Sequence, residues 1–169
     1  SEMCIRDRYR DTSYSERGIF MALTDHNSKQ FEGNIIRLQL RTTCTKLSLD
    51  AEPNKESEQR LIVAEQGGHV YLEQLEYLDG DEPVRDHYTI HHLPADTVHS
   101  VFEEVKHHLP MLLQTDEAQH TDRWYLTLTN DVGEQYLFRG RIGLDQNKEL
   151  SDYLRTTLQL PNLWAFIKE

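Results

Sequence analysis

The feature that most constrains this chain is a repeated alternation of apolar and polar residues with a period of two. Residues 124–129 (WYLTLT) alternate in this way, and residues 136–142 (YLFRGRI) repeat the pattern after a short polar stretch, Asn130–Gly133. Successive side chains of a β-strand point to opposite faces, so each stretch predicts a half-buried strand. The polar stretch between them predicts a turn, and the two strands therefore form an antiparallel hairpin.

The same alternation recurs in the first half of the chain. Five stretches predict strands, namely Ile36–Arg41, Thr45–Leu49, Leu61–Ala64, Val70–Leu78 and Val84–Ile90. Leu61–Ala64 does not alternate and is instead a short apolar run. Gly67-Gly68 and Asp79-Gly80 separate the last three of them. These pairs are hairpin signals because both central residues of a type I′ turn need a positive φ. The first half is therefore predicted to be a β-meander.

Two other stretches have the period of a helix. After Pro94, apolar residues recur at helical spacing between Val98 and Leu109, with Asp96 as the expected N-cap. A second helix is predicted over Lys148–Leu160, with Asn147 as its cap and Pro161 after its end. The predicted order is βββββαββα. Strands that cluster into hairpins favour an α+β fold, here an antiparallel sheet of about seven strands with two amphipathic helices on one face.

The domain is expected to span residues 21–169. Residues 1–20 are polar and arginine-rich, and their opening, SEMCIRDR, resembles translated sequencing-adaptor sequence. We therefore expect this leader to be artefactual or disordered and to lie outside the fold, with a natural start at Met21.

Charge and cysteine content narrow the classes of partner. The net charge of −11 opposes binding to nucleic acid and to anionic membranes, although Tyr71, Tyr77, Tyr125 and Tyr136 are available for stacking on bases. The same charge is compatible with a basic protein partner. The two cysteines, Cys4 and Cys44, do not make a disulfide framework, and no apolar run is long enough to span a bilayer. The sequence predicts a cytoplasmic protein.

Nine histidines raise the question of a metal site. The hypothesis would use some of His69, His87, His91 and His99. If His87 and His91 lie on one strand, their backbones are about 13 Å apart, which is too far for two ligands of one zinc ion without help. His92 and His108 lie on apolar faces and are interpreted as packed boundary residues with one ring nitrogen hydrogen-bonded, with a pH-sensitive contact as the alternative. The sequence predicts no cofactor.

Two groups of residues are candidates for contacts with a partner. Asp79, Asp81 and Glu82 form an acidic turn that could attract a basic surface, although a solvated turn explains them better. Trp164 and Phe166 belong to an apolar C-terminal run, which we expect to dock on the body of the protein or to form an interface.

No catalytic signature is present in the sequence: it contains no G-x-S-x-G, no phosphate-binding loop, no dinucleotide motif and no HExxH. The sequence therefore favours a small non-enzymatic binding or regulatory module that acts through protein–protein contacts, including contacts between copies of this chain. Two alternatives remain open. One is a metal-dependent hydrolase that uses histidines of the sheet, and the other is a binder of a small apolar ligand.

Overall fold

A computed structural model of the protein describes residues 30–44, 56–77, 83–112, 122–143 and 147–166. These residues form one antiparallel sheet of six strands and two helices, which confirms the α+β class. The strands are β1 (Ile35–Thr43), β2 (Glu56–Ala64), β3 (His69–Tyr77), β4 (Pro83–His92), β5 (Arg123–Asn130) and β6 (Gln135–Arg141). The strand predicted over Thr45–Leu49 lies outside the described residues, as do residues 1–29.

The six strands lie in the order β4-β3-β2-β1-β5-β6, and every pair is antiparallel. The meander supplies the first four strands of this order, and the predicted hairpin of residues 124–142 supplies the last two. The two units join through β1 and β5, where Leu40 lies opposite Leu126. The sheet is therefore continuous from the first half of the chain to the second.

Helix α1 (Ala95–His108) and helix α2 (Lys148–Thr157) follow the two sheet units. Both were predicted, but α1 begins one residue before its expected cap. Pro94 occupies the N-cap, and Asp96 lies in the first turn, where its negative charge interacts favourably with the helix dipole. Asn147 is the N-cap of α2 as predicted, although its side chain makes no capping hydrogen bond.

One side of the sheet, the core face, carries the apolar residues that the helices cover. Leu72, Leu61, Leu40, Leu126 and Phe138 follow one another across five strands in register, and all are buried. They belong to one core cluster with the following helix residues: Val98, Val101, Phe102, Val105, Leu150 and Leu154. Burying such side chains supplies most of the driving force for folding, at about 25 cal/mol per Å² of apolar surface.

A second row of the core face contains the polar side chains of Gln59 and Thr42, which form hydrogen bonds with the backbone of the C-terminal segment 158–166. We call it the polar row. The side-chain amide of Gln59 donates to the carbonyl of Asn162 at 2.8 Å and accepts from the backbone N–H of Trp164 at 2.8 Å. The Thr42 hydroxyl donates to the carbonyl of Ala165 at 2.6 Å. An irregular segment can be buried only if its backbone polar groups find partners, and these two side chains provide them.

The hairpin turn is organised by Asn130, which is 1% exposed. Its side-chain oxygen accepts from the backbone N–H groups of Val132 and Glu134, and its amide nitrogen donates to the carbonyl of Glu32. Beside this turn, the Tyr136 ring packs on Phe31 with ring centroids 4.7 Å apart. Burial, reinforced by the charge of Glu134, raises the pKa of Tyr136 above its ordinary value, so its phenol stays neutral in the core.

In two strands, the residues that face the core differ from those that the alternation indicates. A bulge in β1 places Ile35 in the core and leaves Ile36 half-buried, so the alternation predicted from Ile36 begins with its neighbour instead. In β4 the apolar residues Tyr88 and Ile90 lie on the side away from the helices and are 51% and 46% exposed. Thr89 is the register partner of the buried Leu72 and occupies the core side of this edge strand.

The turn between β2 and β3 needs glycine at two positions. Gly67 and Gly68 have φ values of +73° and +61°, which confirms the positive φ predicted for both. The two sites differ in the space around them. A Cβ on Gly68 would clash with the carbonyl oxygen of Leu93, whereas a Cβ on Gly67 would meet no atom within 4 Å.

We predict that Gly68→Ala destabilises the protein much more than Gly67→Ala. Both substitutions place a side chain at a positive φ, which costs about 1–2 kcal/mol. Only Gly68→Ala adds a clash with backbone, for which overpacking costs about 1–3 kcal/mol more. Urea unfolding of the two variants would measure the difference, and equal losses would contradict the close approach of Leu93 to Gly68.

A second prediction concerns the polar row. Gln59→Leu keeps the volume of the side chain but leaves the carbonyl of Asn162 and the N–H of Trp164 without partners, so we expect a loss of about 2–4 kcal/mol. Gln39→Leu, on the opposite side of the neighbouring strand, is the matched control and should change stability by less than about 0.5 kcal/mol. Urea unfolding measures both, and similar stability of the two variants would show that Gln59 does not hold the C-terminal segment.

Candidate interaction surface

The four histidines of the metal hypothesis lie on different parts of the fold. His69 is on the side of the sheet away from the helices, 5.4 Å from His92 between ring centroids. His87 and His91 occupy core-side positions of the edge strand β4, and Nε2 of His91 is 3.1 Å from the carbonyl of Gln159. His99 is on α1, with Nε2 3.5 Å from Oε1 of Glu65. Within the described part of the chain, no three His, Cys, Asp or Glu residues are grouped so that they could hold a metal ion.

Of the two groups of residues predicted to contact a partner, one is buried in the fold and the other lies outside the described residues. Trp164 and Phe166 are 8% and 1% exposed, and the Phe166 ring packs edge-on against Trp124 at 4.9 Å between centroids. The predicted docking of the C-terminal run on the body is therefore present, and these two side chains are part of the core. Asp79, Asp81 and Glu82 lie outside the described residues.

His108 has the packed position that its sequence pattern indicates. It is 6% exposed, and its Nδ1 lies 2.9 Å from the carbonyl of Glu104. His92, by contrast, is exposed, because the side of β4 that carries Tyr88 and Ile90 is not covered by a helix.

A cleft of about 340 Å³ lies where the start of β1 meets α1 and the turn after β2. Its polar lining consists mainly of the carboxylates of Glu65, Glu103 and Asp131 with the imidazole of His99. The lining is predominantly anionic and contains no Lys or Arg, so the cleft offers hydrogen-bond acceptors and negative charge rather than a site for an anionic substrate.

A second candidate binding surface, larger than this cleft, is the side of the sheet opposite the core face. We call it the open face. No described helix packs against it, and its apolar residues Ile62 and Leu137 are absent from the core cluster and from the side chains packed on it. The register defines it as three rows across all six strands. In the order β4 to β6 they are His92, His69, Ala64, Arg37, Thr129, Gln135; Ile90, Tyr71, Ile62, Gln39, Thr127, Leu137; and Tyr88, Glu73, Arg60, Arg41, Tyr125, Arg139.

One end of the open face is aromatic and aliphatic. On β3 and β4, the Tyr71 and Tyr88 rings lie 6.0 Å apart between centroids, and the rings of His69 and Tyr71 are stacked at 6.5 Å. Ile90 extends this aromatic end at the edge of the sheet, where it and Tyr88 remain about half exposed. Adjacent exposed apolar groups of this size mark surfaces that contact another molecule.

The other end of the open face is basic. Strands β1, β5 and β6 contain five arginines and no Asp or Glu in 24 residues, whereas the average acidic content of the chain, 29 in 169, would give about four. Arg37, Arg41 and Arg139 point to the open face, and the Arg41 guanidinium lies 4.4 Å over the Tyr125 ring. Such a contact fixes the guanidinium in place without neutralising it.

Arg123 lies beyond the last row, on the same side of β5, and has an unusual environment. It is only 8% exposed, and its Nε and Nη2 atoms have no hydrogen-bond partner. Burial of guanidinium nitrogens without acceptors costs free energy.

Sequence reasoning missed the open face for two reasons. Tyr88 and Ile90 alternate like core residues, and nothing in a single strand indicates which of its faces a helix will cover. The arginines of β1 and β6 are about 100 residues apart in sequence and become neighbours only because β1 pairs with β5. The available signal was the absence of Asp and Glu from three strands of a very acidic chain.

No protein-family model matches the chain, and no curated protein matches it. Among the described helices, neither the 14 residues of α1 nor the 10 residues of α2 form a segment long and apolar enough to cross a membrane.

We predict that residues of the open face contribute little to folding. Tyr88→Ser combined with Ile90→Ser should reduce the free energy of unfolding by only about 2 kcal/mol for the two side chains together, because both are already half exposed. Leu72→Ser, on the core face of the neighbouring strand, is the contrast and should cost at least about 3 kcal/mol. Urea unfolding tests both. A double variant as damaged as Leu72→Ser would mean that this side of the sheet is covered.

Proposed function

We propose that the protein is a small binding or regulatory module without catalytic activity, and that it contacts a protein partner through the open face. The observation that carries the proposal is the half exposure of Tyr88 and Ile90 next to Tyr71, on the side of the sheet opposite the two helices that the structure describes. A monomer gains no stability by presenting these side chains to water, whereas a partner that buries them gains the hydrophobic free energy.

The composition of the open face supports a protein partner. Tyrosine and arginine are the residues most often found at the energetic centres of protein interfaces, and the open face contains three tyrosines and four arginines in three rows. The surrounding aliphatic residues Ile62, Ile90 and Leu137 add apolar area that can exclude water around such centres.

The environment of Cys44 supports a location in the cytoplasm. It is the single cysteine of the described residues, and it is buried and not part of a disulfide. A thiol of this kind is stable in a reducing compartment, where disulfides seldom form.

The two alternatives gain no comparable support. A metal-dependent hydrolase would need His69, His87, His91 and His99 to converge, and the sheet separates His69 from His87 and His91 while His99 lies on α1. A binder of a small apolar ligand would need a cavity lined by the strands, and the core face of the sheet is packed with helix residues and the C-terminal segment.

Site-specific photo-crosslinking in cells tests the proposal. p-Benzoylphenylalanine at position 88 should give discrete crosslinked protein adducts, and excess unmodified protein should compete them away. The same group at Val132, which is 74% exposed on the hairpin turn, controls for random encounters and should give none of these adducts. Equal labelling from both positions, or no adduct at position 88, would overturn the proposal.

A further inference from the structure

We infer that the partner of the open face is an acidic amphipathic protein segment, which places apolar residues on the aromatic end and Asp or Glu residues on the basic end. This inference rests on the proposed function and adds the chemistry of the partner. The acidic composition of the whole chain suggests a basic partner, whereas the open face indicates an acidic one.

The charge distribution is the first step. The chain has a net charge of −11, yet the part of the open face formed by β1, β5 and β6 contains only basic ionisable side chains, apart from the Tyr125 phenol. Arg37 has no ion pair with a described residue, and Arg41 contacts a tyrosine ring rather than a carboxylate. Guanidinium groups arranged in this way bind carboxylates through paired hydrogen bonds.

The size of the basic end is the second step. Arg37 and Arg41 are four residues apart, about 13 Å along the strand, and the three strands span about 10 Å. These lengths are close to the Debye length of about 8 Å at physiological ionic strength. Only groups in contact with the basic end therefore experience its attraction, and a long polyanion would continue onto the acidic remainder of the protein. A short cluster of carboxylates fits this limit better than a nucleic-acid strand does.

The position of the aromatic end is the third step. Tyr88 and Ile90 on β4 lie five strand spacings, or about 24 Å, from Arg139 on β6. Arg37 and Arg41 on β1 lie three spacings, or about 14 Å, from β4. A segment that contacts both ends must therefore cross the strands. A helix of about 16 residues has the necessary length. Its apolar residues would lie over β3 and β4, and its carboxylates over β1, β5 and β6.

Selection of peptides from a displayed random 16-residue library against the full chain tests this inference. We expect the enriched peptides to have a net negative charge, with apolar residues grouped toward one end and Asp or Glu toward the other. A parallel selection against the Tyr71→Ser, Tyr88→Ser, Ile90→Ser variant should not enrich them. If no peptide is enriched over that variant, the inference is wrong.

The strongest peptide would then be synthesised and titrated by fluorescence anisotropy. Arg37→Ser should weaken binding about three- to tenfold. Lys148→Ser removes the same charge from an exposed position on α2 and should change affinity less than twofold. The triple variant Arg37→Ser, Arg41→Ser, Arg139→Ser should weaken binding more than tenfold, and raising the salt concentration should weaken the wild type more than this variant.

The outcomes separate this inference from the proposed function. Enriched peptides that depend on Tyr71, Tyr88 and Ile90 but are neutral or basic would overturn the acidic partner and leave the open face as a binding surface. If a 20-nucleotide single-stranded DNA bound more tightly than the strongest peptide and depended on the same arginines, the partner would be a nucleic acid and the inference of a protein segment would be wrong. If p-benzoylphenylalanine at position 88 gave no crosslinked adducts in cells, the proposed function itself would be wrong.

Discussion

The pairing of β1 with β5 is the interaction on which the rest of the structure depends. It joins a four-stranded meander to a two-stranded hairpin, and its register aligns Leu38 with Leu128 and Leu40 with Leu126 on the core face. An isolated hairpin of this kind would be marginally stable in water. The same register brings Arg41 next to Tyr125 on the other side. A single set of strand contacts thus builds both the continuous core and the basic end of the open face.

The described residues pack against only one side of this sheet. Both helices and the segment 158–166 are used on the core face, where buried polar groups such as Gln59 and Thr42 satisfy the backbone of the irregular segment. The described residues include no further element that could cover the open face. A six-stranded sheet with apolar residues on its second side is a stable fold for a monomer, but it leaves free energy of burial available to a partner.

Local patterns in the sequence predicted the elements well and their arrangement less well. The hairpin of residues 124–142, the helical stripe from Val98 and the positive φ of Gly67 and Gly68 follow from periodicity and turn chemistry, which act within a few residues. The environment of Tyr88 and Ile90 could not be predicted in this way. A period of two separates the faces of a strand, but tertiary packing decides which face receives the helices. The basic end likewise depends on a pairing between distant parts of the chain.

The central claim is that the helices cover one side of the sheet and leave the other to a partner. Methyl–methyl nuclear Overhauser effects in the free protein test it most directly. The account predicts contacts from the methyl groups of α1 and α2, such as Val101 and Leu154, to the core-face residues Leu40 and Leu126, and none to Ile62 or Leu137. Contacts from either helix to Ile62 or Leu137 would contradict the account, because the open face would then be part of the core.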